Sequence, residues 1–301
     1  MKIPSVILLF GAGASYGAGG TNEKPPLSMN LFEQLQAKFP ETWGTIDKQY
    51  VDKFIPDFEK GMEWLYRNDI QEKYNLSRFL VDLAVFFDRF RIEQANSNQY
   101  CRLFKHFIYE LKKHKIVTAT LNYDCLIEYA FYYIGIKKIS YLEYDAPLLL
   151  KPHGSCNFIP QNIFVSENAK IILKQSKIET DIKICEPGIV SSQLNYNKMP
   201  PAMSLFVSDK TDVIAPSFIR EIRTQFANSL DLNSTVISVG VRPNSTDSHI
   251  WNPLRNVAKL YIVGKKEDSQ DWVLNNNNAK HIGSTFDSAF DLIIDLIKAS
   301  V

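Results

Sequence analysis

Five short runs of apolar and β-branched residues punctuate the chain: 6–10 (VILLF), 116–121 (IVTATL), 147–151 (PLLLK), 235–239 (TVISV) and 259–263 (KLYIV). Each is nearly continuous rather than alternating, the pattern of a strand covered on both faces in a parallel sheet. Elsewhere the apolar positions recur with a helical period. Over 76–94, Leu76, Phe79, Leu80, Leu83, Phe87 and Phe90 fall on one face, and Tyr100, Leu103, Phe104, Phe107, Ile108 and Leu111 form a second stripe. Pro25-Pro26 marks a loop, Ser28 is placed to N-cap a helix through Phe39, and a last helix over 285–298 carries Phe286, Phe290, Ile293, Ile294 and Ile297 on one side. The order predicts one domain over residues 1–301: an α/β, Rossmann-like parallel sheet with a helical insertion at about 31–114 and a small irregular excursion at about 158–210. The excursion holds Ile171-Ile172-Leu173, Pro187-Gly188 and Pro200-Pro201, with a lid and an oligomer contact both open as its role. The Asn275 to Asn278 run reads as a polar turn.

Composition narrows the classes. The 301 residues are 45% apolar and carry 34 basic against 33 acidic side chains, a net charge of +1, which gives no bulk electrostatic reason for a nucleic-acid or membrane partner. No apolar run approaches the ~20 residues of a membrane span. The first residues imitate a secretory leader only loosely, because Pro4, Gly11 and Gly13 interrupt the apolar core and Lys2 is its one charge. A cytoplasmic protein is expected. Cys101, Cys125, Cys156 and Cys185 lie far apart without a C-x-x-C pair, so they read as reduced thiols packed as small hydrophobes rather than zinc ligands.

The chemistry collects where the strands end. Gly11-Ala12-Gly13-Ala14-Ser15 follows the first run, Asn122-Tyr123-Asp124 the second, His153-Gly154-Ser155 the third, Gly240 and Asp247 the fourth, and Gly264 the fifth. In an open α/β sheet, ligands bind outside the carboxyl ends of the strands, so these residues are placed to converge on one crevice. A strand running into glycines and a small hydroxyl residue suits a pyrophosphate, although the spacing is not the full dinucleotide fingerprint and a ligand-free glycine turn reads equally well. An aspartate at a strand-to-helix junction serves as a cap or as a ligand, and both readings stand for Asp124 and Asp247. His106 and His114 read as a solvated helix face, and His249 and His281 show no partner pattern. No histidine–carboxylate grouping is legible, so no metal is expected.

Four places, Gly11-Ala12-Gly13-Ala14-Ser15, Thr120-Leu121-Asn122-Tyr123-Asp124, Lys151-Pro152-His153-Gly154-Ser155 and Val239-Gly240-Val241 with Asp247, together resemble the sirtuin-like family, in particular the bacterial sirtuin-like NAD hydrolases of anti-phage defence. The chain departs from classical sirtuins at Leu121, where they carry glutamine, and at Val241-Arg242, where they carry a threonine–serine pair; the paired-cysteine zinc module of the deacylases is missing from the sequence. The resemblance implies cleavage of NAD to nicotinamide and ADP-ribose, with Asn122 positioning the ribose or the attacking water and His153 as the base. It also implies cofactor contacts from Gly11, Ala12, Gly13, Ser15, Asp124, Gly240 and Asp247. It further implies NAD depletion in abortive infection, a homo-oligomer, and control by a separate subunit such as a ring-shaped DNA-translocase ATPase or a short Argonaute. A histidine of ordinary pKa near ~6.5 suits proton transfer at neutral pH. An NAD-dependent protein deacylase and a nonenzymatic NAD or ADP-ribose-binding subunit are the alternatives.

Overall fold

The apolar runs build a six-stranded sheet in a computed structural model that describes residues 4–55, 57–67, 74–161, 177–197, 199–204, 212–244 and 246–301. Its strands are β1 (Val6–Phe10), β2 (Ile116–Thr120), β3 (Leu149–Leu150), β6 (Thr235–Val239), β7 (Lys259–Val263) and β8 (Ala279–Gly283). A separate antiparallel pair, β4 (Phe158–Pro160) and β5 (Ile182–Ile184), lies in the excursion. The sheet order is β3-β2-β1-β6-β7-β8, and every neighbouring pair is parallel. This is an α/β, Rossmann-like sheet, in which the chain winds outward in both directions from β1. The predicted third strand shrinks to two residues. The sixth strand escapes the hydrophobic pattern because β8 is an edge strand whose residues stay partly exposed.

Phe10 stands opposite Thr120 on one side and Val239 on the other. Gly11, Leu121 and Gly240 therefore leave the sheet side by side, at the point where the strand order reverses. That register makes the crevice.

The helices are α1 (Ala12–Tyr16), α2 (Ser28–Lys38), α3 (Lys48–Phe54), α4 (Phe58–Arg67), α5 (Leu76–Asp88), α6 (Gln99–His106), α7 (Ile108–Lys112), α8 (Leu126–Tyr133), α9 (Val190–Asn197), α10 (Pro216–Asn228), α11 (Ser248–Leu254), α12 (Lys266–Asn275) and α13 (Phe290–Lys298). Helices α2 to α5 close around an aromatic cluster. Phe32 stacks on Phe54 with ring centroids 4.4 Å apart, and Trp43 meets Phe79 edge-on at 4.9 Å. Tyr100 of α6 stands edge-on to Phe10 at 5.1 Å and so ties the insertion to the central strand.

Local polar bonds move several helix ends from where the apolar pattern places them. Ser28 is the first residue of α2 rather than its cap, and its Oγ accepts from the Phe58 amide at 3.2 Å. Helix α5 stops at Asp88, short of Gln94, because the Asn22 side chain accepts from the Arg91 amide at 2.8 Å and donates to the Arg89 carbonyl at 3.0 Å, taking backbone groups that another helical turn needs. The second stripe divides at Phe107, and the last helix starts at Phe290 after Thr285 and Ser288 bond each other's amides. The Ile171-Ile172-Leu173 piece lies outside the described residues.

Candidate active site at the carboxyl edge of the sheet

The glycine loop and the Gly240 loop meet backbone to backbone. Gly11 N–H donates to the Val239 carbonyl and Gly13 N–H to the Gly240 carbonyl, each at 3.0 Å. A Cβ on Gly13 would lie 2.8 Å from the Gly240 Cα, and one on Gly240, whose φ is +67°, would lie 2.1 Å from the Ala14 nitrogen. Only glycine fits this contact. Within the loop Ala12 is exposed and Ser15 buried.

Asn122 crosses from β2 onto that loop. Its Nδ2 donates to the Gly11 carbonyl and to Ser15 Oγ, both at 2.9 Å, while its own amide donates to Thr120 Oγ1 at 3.1 Å. Ser15 Oγ shares a further hydrogen bond of 3.1 Å with the Tyr100 hydroxyl. The side-chain nitrogen is thereby committed to the protein, and among the described residues Oδ1 has no hydrogen-bond partner. This fixes the carboxamide's rotation and leaves an acceptor.

Asp124, two residues on, is buried and stands one residue ahead of Cys125, the N-cap position of α8, where its Oδ1 accepts from the Leu126 amide at 3.1 Å. Burial raises its pKa above the usual carboxylate value, against the pull of the Lys151 charge and the Leu126 bond. Lys151 is fully buried. Its Nζ donates to the Asp124 carbonyl at 2.7 Å and pairs with Glu128 Oε1 at 2.9 Å, joining the end of β3 to the loop that carries Asn122. Burial alone would lower the Lys151 pKa; the neighbouring Glu128 carboxylate reverses this and holds it above its ordinary value.

His153 stands on the turn that follows. Gly154 adopts φ +79°, and a Cβ there would lie 2.1 Å from the Ala202 carbonyl. The turn is clamped from the excursion and from α10: Ser204 N–H donates to the His153 carbonyl at 2.9 Å, Ser155 N–H to Ala202 at 3.1 Å, and Arg223 Nε to the Pro152 carbonyl at 2.9 Å. Arg223 is itself held by both oxygens of Asp212, at 2.6 and 2.8 Å. The part of the excursion that is described therefore braces the histidine.

Across the sheet, Asp247 sits at the N-cap position of α11 without a side-chain cap bond, and its Oδ1 lies 3.6 Å from His153 Nε2. The His249 ring centres 5.2 Å from the His153 ring. One ligand atom from each of His153, Asp247 and His249 falls within 4.8 Å of the other two. This corrects the sequence reading: a histidine–carboxylate grouping exists, and His249 has partners. The Asp247-x-His249 spacing was its visible half; His153 joins only through the fold. The apolar stripe hides the polar role of Tyr100, and no motif in the sequence signals the supporting roles of Lys151, Glu128 and Arg223. All four cysteines are buried, with the sulfurs of Cys125 and Cys156 3.6 Å apart.

Two open cavities of about 320 and 350 Å³ lie near the opposite edge, one lined by Lys112 and His114 before β2, the other by Leu230 and Asn256 before β6 and β7. Neither includes the residues above.

No protein-family model matches the chain, and a search of curated proteins finds no match. Among solved structures, the chain is similar to a Sir2 homolog–NAD complex, with 14% identity, 98% of this chain and 88% of that one covered, and a TM-score of 0.47. It is similar also to a structure describing the mechanism and regulation of Sir2 enzymes, with 12% identity, coverages of 97% and 90%, and a TM-score of 0.46. A structure of Sir2Tm bound to a propionylated peptide gives 14% identity, coverages of 98% and 92%, and a TM-score of 0.41. The Rossmann-like architecture is a property of this chain's own strand order.

Proposed function

We propose that this chain is a sirtuin-like enzyme that hydrolyses NAD⁺, with water as acceptor, to nicotinamide, ADP-ribose and a proton. The observation that carries the reading is the joining of Gly11, Ser15 and Asn122 in one hydrogen-bonded network at the sheet's switch point, with His153 on the next strand end and Asp247 beside it. Breaking the nicotinamide–ribose bond makes an oxocarbenium-like sugar, and the site must hold the ribose and direct an acceptor away from bulk water. Asn122, its nitrogen pinned, offers Oδ1 to a ribose hydroxyl or the water. His153 takes the proton, and the nearby Asp247 carboxylate favours the imidazolium that results.

The exposed Ala12 side of the glycine loop, rather than the committed Gly11 and Gly13 amides, is the face that approaches the phosphates. Gly240 lets the second loop pass close to the adenosine half, and Asp124 and Asp247 take sugar hydroxyls. The family resemblance extends the reading to NAD depletion during phage infection, in a homo-oligomer or with a separate regulatory subunit such as a ring-shaped DNA-translocase ATPase or a short Argonaute. An unregulated enzyme of this kind would exhaust its own cell.

Purified protein, alone and with the product of its genomic neighbour, is incubated with NAD⁺ and the products followed by mass spectrometry. Nicotinamide and ADP-ribose in equal amounts, without any acyl-peptide, are expected. Release that requires an acyl-peptide would favour a deacylase, and binding of NAD⁺ without release a regulatory module.

A further inference from the structure

Two imidazoles and a carboxylate converge beside the crevice. His153 Nε2 and Asp247 Oδ1 are 3.6 Å apart, and a His249 ring nitrogen completes a set of donors within 4.8 Å of one another. His153 and Asp247 are buried and His249 is half-buried, with its Nε2 itself out of contact with solvent. Around a tetrahedral zinc ion with bonds near ~2.0–2.1 Å, donors stand about 3.3 Å apart. The His153–Asp247 pair is already near that spacing, and the rest is within reach of a side-chain rotation of His249.

The chain supplies these donors as metal centres commonly do, two from a short motif and one from a remote strand end. The remote donor is the best braced, its turn being held by Gly154, Ser204 and Arg223. Two nitrogens and one carboxylate suit a first-row divalent ion, whereas magnesium and calcium prefer all-oxygen shells. Three protein ligands leave a fourth position open to water.

We infer that His153, Asp247 and His249 bind one divalent transition-metal ion, zinc being the best fit, and that the bound ion switches the site off. The second half rests on the proposed role of His153. Coordination uses the Nε2 lone pair that would accept the proton, so a histidine holding the metal cannot act as the base.

Full-length protein stripped with a chelator is titrated with Zn²⁺ by calorimetry and with Co²⁺ by visible absorption, beside His249→Gln. One Zn²⁺ per chain is expected, no response to Mg²⁺, and binding at least about tenfold weaker in His249→Gln at an unchanged melting temperature. Wild type that binds no Zn²⁺, or a well-folded His249→Gln that binds it equally, would overturn the site. If His249→Gln melts low, the wild-type Co²⁺ spectrum decides: a shift from the aqueous ion supports imidazole ligation, and an unshifted band overturns it. Stoichiometric Zn²⁺ is then added to the nicotinamide-release assay. A fall of at least about tenfold in wild type, absent in His249→Gln, is expected, and full-rate release by zinc-loaded wild type would overturn the switch. No release by the metal-free protein in any combination would instead sink the hydrolase reading, while calorimetry still decides the metal site.

Discussion

The helical insertion and the carboxyl edge of the sheet are held by different forces. Between α2 and α5 the contacts are aromatic rings, Phe32 on Phe54 and Trp43 against Phe79. At the sheet edge they are directional bonds among buried polar groups, Asn122 to Ser15 and Lys151 to Glu128, and the half-buried pair Arg223 to Asp212. Apolar packing is nondirectional and tolerates repacking, whereas a buried polar web is stable only when each member is satisfied. The first region supplies stability. The second spends some of it to fix the positions of a few side chains.

The contrast breaks most sharply at Lys151. Lys151→Met leaves the Glu128 carboxylate buried without its cation and should cost about 3–5 kcal/mol in urea denaturation. Removing both charges, in Lys151→Met with Glu128→Leu, should restore much of that stability. Nicotinamide release should stay low in the double variant, because the Asp124 carbonyl has lost its tether. A double variant as unstable as the single one would contradict a charge-pair origin.

Phe54→Ala tests the other side. The stacked ring leaves a cavity, and the loss should also reach about 3 kcal/mol, but activity per folded molecule should be unchanged. A fall in activity without further unfolding would show that the insertion shapes the site.

The smallest effect is a pH slope. Burial raises the pKa of Asp124, so the folded state keeps this proton to higher pH than the unfolded chain, whose ordinary value is near ~3.9. In that window the native state binds more protons. The stability from this group is therefore complete below the unfolded value and is lost as pH rises through the folded one. Asp124→Asn, which keeps the acceptor for the Leu126 amide, should flatten that part of the stability curve. An identical slope in both proteins would show that the raised value is compensated elsewhere.

Much of this was legible in sequence because burial on both faces writes itself as continuous apolar runs. The cores of β1, β2, β6 and β7 stand out in those runs, and the strand-end motifs follow from them. Edge strand β8, half exposed, left no such signal. Helix ends were displaced by single side chains, Asn22 above all, whose partners lie far along the chain. The site residues were legible as types at strand ends, but their connections were not. Tyr100 looked like core until its hydroxyl met Ser15, and His249 looked solitary until the fold brought His153 beside it.

The most direct test of the central claim is the rate of nicotinamide release from NAD⁺ by wild type, Asn122→Ala and His153→Ala, with NAD⁺ binding and melting temperature measured on the same samples. Wild type should turn over, and both variants should bind NAD⁺, remain folded and fall by about 10²–10⁴-fold. Folded variants that release nicotinamide at the wild-type rate would contradict the assignment of the chemistry to this edge of the sheet.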